Sequence, residues 1–158
     1  MERNVINASK YRFMPGLPLA YIVLLAALTL PRVVVHDLGL LEIDSPVYTI
    51  LAVAPLLIWL LVAVFRKTQR PLVDFLVLGL AYGLFLGLTH QILWDASWGG
   101  NPPHIGGNLT GKLSPIAESL ILRAFALGSS IVTGLVFGAA FGVVALLATK
   151  LRNRQVPR

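Results

Sequence analysis

The segment PLVDFLVLGLAYGLFLGLTHQILW, residues 71–94, decides the fold of this chain. The segment contains one acidic residue, Asp74, and neither lysine nor arginine. An α-helix rises about 1.5 Å per residue, so about 20 apolar residues cross the roughly 30 Å hydrocarbon core of a bilayer. A soluble core does not need an apolar run of this length. The segment therefore predicts a transmembrane helix.

Three further apolar runs lie at residues 15–36, 46–65 and 128–149. Hydrophobic residues make up 56% of the chain and charged residues only 13%, whereas soluble domains have about 25% charged residues. We therefore predict an all-α polytopic membrane protein, in which a four-transmembrane-helix bundle forms a single membrane domain over residues 1–158. Pro31 lacks an amide hydrogen and should kink the first span or end its regular part.

The segment after the third span, residues 95–114, is rich in glycine, proline and asparagine. Such a composition is incompatible with a regular helix or strand. Structureless loops longer than about 12–15 residues are uncommon unless they are functional or disordered. The sequence leaves three interpretations of this loop open: a lid over the bundle, a docking surface and an inert connection.

A helical pattern then runs from Pro115 to about Leu151, which is too long for a single span. We divide it at Gly128, so that a short extramembrane helix over residues 115–127 precedes the last span. The loop and this interfacial helix together form residues 95–127, outside the membrane.

The basic residues predict the orientation of the chain. Of the thirteen lysines and arginines, only Arg32, Lys112 and Arg123 fall on one side of the predicted spans. The others share the opposite side: Arg3, Lys10, Arg12, Arg66, Lys67, Arg70, Lys150, Arg152, Arg154 and Arg158. The positive-inside rule then predicts a multi-pass protein of the plasma membrane with both termini in the cytoplasm. The net charge of +6 is explained by topology and lipid headgroups, and no nucleic-acid partner is predicted.

Glycine recurs at every fourth position in the last two spans. The six residues are Gly79, Gly83, Gly87, Gly134, Gly138 and Gly142. This spacing places each row on one helix face, where a second backbone can approach closely, as in a glycine zipper. The two rows are expected either to pack against each other within the chain or to form an interface between copies of it.

Titratable residues collect on the predicted outer side. The candidate polar or ligand cluster comprises His36, Asp37, His90, Asp95, His104, Glu118 and Arg123. One interpretation is a set of polar groups at a wet interface. Another is a metal or proton-relay site, although no two of these residues have the spacing i, i+4. A third is axial haem ligation by His36 and His90.

Two charged residues lie near the ends of the spans. Asp74 is in the first turn of the third span, where the helix dipole stabilises it as a cap. Arg32 lies among apolar residues in the first span and is expected to reach the outer headgroups or to pair with an acidic residue such as Asp37. Cysteine is absent, which excludes disulfides, thiolate catalysis and iron–sulfur clusters.

The expected function is that of a small integral membrane protein: a non-enzymatic accessory or structural subunit, or an oligomeric scaffold. The alternative is a small oligomeric transporter or channel, favoured by proline in the first two spans and by the polar patch at His90. A further alternative is a metal- or haem-binding protein or an enzyme that uses the outer histidines. No cofactor is predicted for the first interpretation. Its expected partners are the lipid bilayer and either further copies of the chain or the subunits of a larger membrane complex.

Overall fold

The structure is a computed structural model that describes residues 16–154, and its regular elements there are helical. They are α1 (Leu19–Ala27), α2 (Leu30–Asp37), α3 (Pro46–Phe65), α4 (Pro71–Ile92), α5 (Trp94–Ser97), a 3-10 turn (Gly107–Leu109) and α6 (Pro115–Arg154). Several residues used in the sequence predictions lie outside the described residues: Pro15, at the predicted start of the first span, and the basic residues Arg3, Lys10, Arg12 and Arg158.

Four helical stretches in the described part of the chain are long and apolar enough to cross a membrane. They are Leu19–Asp37, Pro46–Phe65, Pro71–Ile92 and Pro115–Arg154, with mean hydropathy between 1.9 and 2.5. The predicted all-α class and the four apolar helices of the bundle are confirmed.

The first span is interrupted between α1 and α2, at Leu28 and Thr29. Pro31 has no amide hydrogen to donate to the carbonyl group one turn back, so the helix loses a hydrogen bond at this point. The amide of Thr29 instead donates to the carbonyl of Ala26 at 3.2 Å, and the Thr29 hydroxyl donates to the same carbonyl at 2.7 Å. The break therefore precedes the proline that causes it.

Trp59 of α3 fills the space beside this interruption. Its side chain is fully buried, and its indole N–H donates to the carbonyl of Leu25 at 3.0 Å. In a regular helix that carbonyl would accept a hydrogen bond from the amide of Thr29. The indole thus satisfies a backbone acceptor that the interruption leaves free, and it ties α3 to α1.

The last helix corrects one prediction. Helix α6 contains 40 residues without a break, so it is about 60 Å long. Residues 115–127 are the beginning of this helix rather than a separate helix. Glycine and serine at residues 128–130 remove no backbone donor, and the hydroxyls of Ser129 and Ser130 donate to the carbonyl of Ala126 at 3.0 and 2.8 Å. Only proline would have removed a hydrogen bond of the helix.

Helices α4 and α6 make the most extensive contact among the described elements. The glycine rows lie in this contact. A Cβ atom built on Gly79 would lie 2.8 Å from the Cα atom of Gly138, and one built on Gly134 would lie 2.7 Å from the Cα atom of Gly83. These distances leave no room for a side chain, so the two backbones touch directly.

Asp74 fastens the start of the first span to α4. Its carboxylate is fully buried and accepts the amide of Leu17 at 3.1 Å, the amide of Gly16 and the hydroxyl of Thr68. The sequence indicated a cap of α4 itself. In the structure, the hydrogen bonds of its carboxylate join α4 to the backbone that leads into α1 and to Thr68.

Candidate functional site

One carboxylate joins two spans at the end of the bundle that carries the long loop, here called the loop end. Asp37 is the last residue of α2, and its side chain is only 2% exposed. Its Oδ2 atom lies 2.6 Å from Nδ1 of His90 on α4. Its Oδ1 atom lies 3.1 Å from Nδ1 of His36. A buried carboxylate is costly unless it is hydrogen-bonded, and here each oxygen has an imidazole partner.

The roles of the two imidazoles follow from this arrangement. An ionised carboxylate only accepts hydrogen bonds, so with Asp37 ionised both Nδ1 atoms donate to it. Nε2 is the other polar atom of His36 and of His90, and within residues 16–154 it has no hydrogen-bond partner. It is therefore the ring atom left available to a ligand.

Both imidazoles line a cavity of about 410 Å³ between the helices. Residues with hydroxyl groups from two other elements line the same space: Ser97 on α5 and Ser129, Ser130 and Thr133 on α6. The Ser97 hydroxyl oxygen is buried and has no hydrogen-bond partner in the described residues, whereas the Ser129 and Ser130 hydroxyls donate to the carbonyl of Ala126. This side of the cavity is therefore polar.

A second cavity of about 480 Å³ adjoins the first. The two share four lining residues, which are His36, Leu86, His90 and Thr133, and together they are called the recess. The second cavity also has polar groups from Thr29, Arg32 and Tyr82. Its remaining walls are apolar and come mostly from α3.

Arg32 is the cationic group of the recess. Its guanidinium lies 5.5 Å from the centre of the Tyr48 ring, a distance typical of a cation–π contact. Its Nε atom is buried and has no hydrogen-bond partner in residues 16–154. The expected ion pair with an acidic residue is absent among residues 16–154, where no carboxylate lies within 4.0 Å of this guanidinium.

The other four residues of the predicted cluster form two separate pairs. Arg123 lies 3.8 Å from the carboxylate of Asp95 and stacks 4.9 Å from the centre of the Trp94 ring. His104 lies 3.5 Å from Glu118. These pairs connect the long loop and α5 with α6.

The Glu118 carboxylate also holds the loop backbone, because it accepts the amide of Ile105 at 2.5 Å. Trp98, at the beginning of the loop, lines the recess. The hydrogen bond of Ile105 thus attaches the loop to α6, and Trp98 contributes to the lining of the recess.

The metal and haem interpretations depend on how these side chains are grouped. In the described part of the chain, no group of three histidine, cysteine or acidic side chains is positioned to hold a metal ion. His36 and His90, the candidate axial ligands, both direct Nδ1 at the same carboxylate, which leaves Nε2 as the atom that each ring would offer a ligand.

Sequence reasoning missed the hydroxyl groups of the recess. A signal for one of them was present, since Ser130 lies four residues before Gly134 and continues the glycine row of α6 on the same helix face. Ser97 carried no such signal, because it lies in a segment that the sequence assigned to the loop.

Comparisons with known proteins found no counterpart. No protein-family model, curated protein or solved structure matches this chain. Its function is therefore inferred from the recess and the residues around it.

Proposed function

We propose that this chain is a non-enzymatic membrane protein, an accessory subunit that binds a small ligand in the recess. The observation that carries the proposal is the buried Asp37 carboxylate. It joins imidazoles from two different spans at the wall of a cavity. A polar group of this kind inside an apolar bundle is expensive, and such groups mark binding sites or pathways in membrane proteins.

The polar inventory of the recess supports a ligand rather than a purely structural role. Among the described residues, Nε2 of His36 and of His90 has no hydrogen-bond partner, and neither has the buried hydroxyl of Ser97. Cavities that bind small molecules usually have volumes of about 300–1,000 Å³ and a few convergent polar groups. The cavity of about 410 Å³ falls in that range.

The orientation and location of the chain are part of the proposal. Arg66, Lys67 and Arg70 lie in the short loop between α3 and α4, at the opposite end from the recess. The positive-inside rule then places this loop in the cytoplasm and the recess on the outer side of the plasma membrane. A ligand would reach the recess from outside the cell.

The glycine rows act in this proposal as a glycine zipper within one chain. Their close backbone contacts between α4 and α6 support that role and leave these faces unavailable to a second copy. A homo-oligomer or a larger membrane complex would therefore form through other faces. Candidates are the exposed apolar residues of α3, such as Ile50, Leu57 and Leu61.

A second candidate function is that of a small oligomeric transporter. The interruption at Leu28 and Thr29 favours it, because Thr29 and Arg32 beside that interruption line the recess. Transporters commonly place substrate sites at discontinuous helices, whose freed backbone groups contact the substrate. Four spans leave little room for a pathway, so this function requires several copies of the chain.

Native mass spectrometry tests the proposed function. Protein extracted in a mild detergent should carry a non-covalent adduct of discrete mass. Asp37→Asn and His90→Ala should each lose it, because both changes disturb the pair that forms the wall of the recess. Asp44→Asn, an exposed aspartate near the same end, should retain it. Wild-type protein without an adduct, or an adduct that survives Asp37→Asn, would contradict ligand binding in the recess.

A further inference from the structure

We infer that the ligand of the recess is an anionic amphiphile, whose head group binds beside Arg32 and whose alkyl chain lies against α3. This inference rests on the proposed function, since it names the class of ligand that the recess accepts. Three observations carry it: an uncompensated cation, the absence of a protein counter-ion and an apolar wall next to the cation.

The first observation is the state of Arg32. Its side chain is partly buried in an apolar span, and its Nε–H has no acceptor among the described residues. Removing a cation from water costs several kcal/mol unless a counter-ion or hydrogen bonds replace the water. The Tyr48 ring at 5.5 Å compensates for part of this cost but accepts no conventional hydrogen bond. A bound anion would supply the missing counter-charge.

The second observation is that the nearby acids are occupied or distant. Both oxygens of Asp37 are engaged by imidazoles. Glu118 accepts the amide of Ile105, and Asp95 faces Arg123. Glu42 and Asp44 follow α2 in the next loop, and neither lies within 4.0 Å of a basic group in residues 16–154. The described chain therefore provides no counter-ion for Arg32.

The third observation is the composition of the wall beside Arg32. Leu51, Ala52, Pro55 and Leu56 of α3 line this part of the recess. Their spacing places them on one face of the helix, and Phe137 of α6 also lines the cavity. A small hydrated anion gains nothing from such a wall, whereas an alkyl chain buries apolar surface against it at about 25 cal/mol per Å². The shared chemistry is therefore a phosphate or carboxylate on an alkyl chain, from a lipid or from a soluble amphiphile.

Thermal unfolding in mild detergent tests this inference with three probes: decyl phosphate, decanol and inorganic phosphate. Decyl phosphate should raise the unfolding midpoint of the wild-type protein by about 5 °C at saturation, because a ligand that binds only the folded state stabilises it. Decanol and inorganic phosphate should each have less than a third of this effect. A shift with phosphatidylglycerol at least as large as that with decyl phosphate would indicate a lipid source, and a smaller one a soluble source. Phosphatidylcholine, which has no net charge, is the control for the head group and should give no shift.

Arginine variants locate the head group. Arg32→Gln should abolish the shift with decyl phosphate, and Arg32→Lys should retain at least half of it. Arg66→Gln is the matched control, because Arg66 also stacks on a tyrosine, 4.8 Å from the ring of Tyr21, but lies at the opposite end. This control should keep the full shift.

A second variant keeps the inference testable if Arg32→Gln does not fold. Ala52→Leu should occupy part of the space beside the apolar wall. It should therefore reduce the shift of the unfolding midpoint with decyl phosphate and leave the shift with butyl phosphate, which has a shorter chain, unchanged. If decanol or inorganic phosphate raised the unfolding midpoint as much as decyl phosphate does, this result would overturn the inference of an anionic amphiphile. So would an absent response to decyl phosphate. If the mass-spectrometric adduct still depended on Asp37 in that case, the proposed function would stand and only the class of ligand would be wrong.

Discussion

Two buried aspartates illustrate how this chain accommodates charge in an apolar bundle. Asp74 is surrounded by donors from its own chain, which are the amides of Gly16 and Leu17 and the hydroxyl of Thr68. Its partners are mainly backbone groups of a neighbouring segment, so its role is structural. Asp37 instead contacts two imidazoles that line a cavity. One aspartate thus stabilises the fold at one end of the bundle, and the other forms part of the candidate site at the opposite end.

We predict that Asp74→Ala lowers the free energy of unfolding by about 1–3 kcal/mol, because buried donors would lose their acceptor. Asp74→Asn should have a smaller effect, since its amide oxygen still accepts hydrogen bonds. The measurement is unfolding in mixed detergent and SDS micelles. Asp95→Ala is the control, because that side chain is 87% exposed and an exposed ion pair contributes at most about 1 kcal/mol. Equal losses in Asp74→Ala and Asp95→Ala would show that the Asp74 contacts are unimportant.

A second prediction at this scale concerns Trp59. Trp59→Phe should destabilise the protein by about 1–3 kcal/mol, because the carbonyl of Leu25 would lose its buried donor. Phenylalanine keeps an aromatic ring that can pack against Tyr82, whose ring centre lies 5.7 Å from that of Trp59. Trp98→Phe, at a residue that is 46% exposed, should change stability by less than 0.5 kcal/mol. An unchanged stability of Trp59→Phe would refute the role assigned to the indole N–H.

At the scale of elements, the contact between α4 and α6 holds the bundle together. In lipid no hydrophobic effect drives helices together, so close packing and hydrogen bonds determine which faces meet. The glycines bring the two backbones into contact over several turns. The same contact positions His90 on α4 and Ser130 on α6 at the two sides of the recess.

We predict that Gly83→Ala lowers the free energy of unfolding by about 1–3 kcal/mol, because overpacking forces backbones apart. A Cβ atom at this position would lie 2.8 Å from the Cα atom of Ile131 and from the carbonyl oxygen of Ser130. Gly128→Ala is the matched control in a neighbouring helix, because a Cβ atom there meets no atom within 4 Å. It should be neutral or stabilising, since alanine favours a helix by about 0.5–1 kcal/mol over glycine. Similar stabilities of the two variants would argue against the zipper.

At the scale of the whole molecule, the four apolar helices and the distribution of basic residues together determine which side the recess faces. The chain has no cysteine, so a single introduced cysteine reports its position without a background. Asn108 in the long loop and Gln69 in the loop between α3 and α4 are both exposed.

We predict that Asn108→Cys reacts with a membrane-impermeant maleimide in intact cells, and that Gln69→Cys reacts only after the cells are permeabilised. The physical reason is the excess of lysine and arginine around Gln69, which the positive-inside rule assigns to the cytoplasm. Labelling is measured as a mass shift on a gel. The reverse pattern would place the recess on the cytoplasmic side and exclude a ligand that enters from outside the cell.

Local properties of the chain were enough to predict its four apolar helices. The apolar runs show the number of spans, because hydropathy over about 20 residues depends only on that segment. The second span is predicted to begin at residue 46, where α3 begins, and the Ser45 hydroxyl accepts the amide of Tyr48 at 3.2 Å. Pro31 predicts a kink or an end of the first span, because its missing amide hydrogen removes a hydrogen bond of the helix, but Pro55 lacks the same hydrogen and lies inside the unbroken α3.

Only the tertiary structure decided which groups meet. Asp37 and His90 are 53 residues apart in the chain, and their pairing depends on how two helices are rotated about their axes. The unbroken length of α6 also escaped prediction, because no residue at 128–130 forces a helix to end and continuation depends on packing against α4. The isolation of Arg32 from every described carboxylate is likewise a property of the packed bundle. Hydropathy along a chain contains no information on these rotations, since each depends on contacts between residues far apart in sequence.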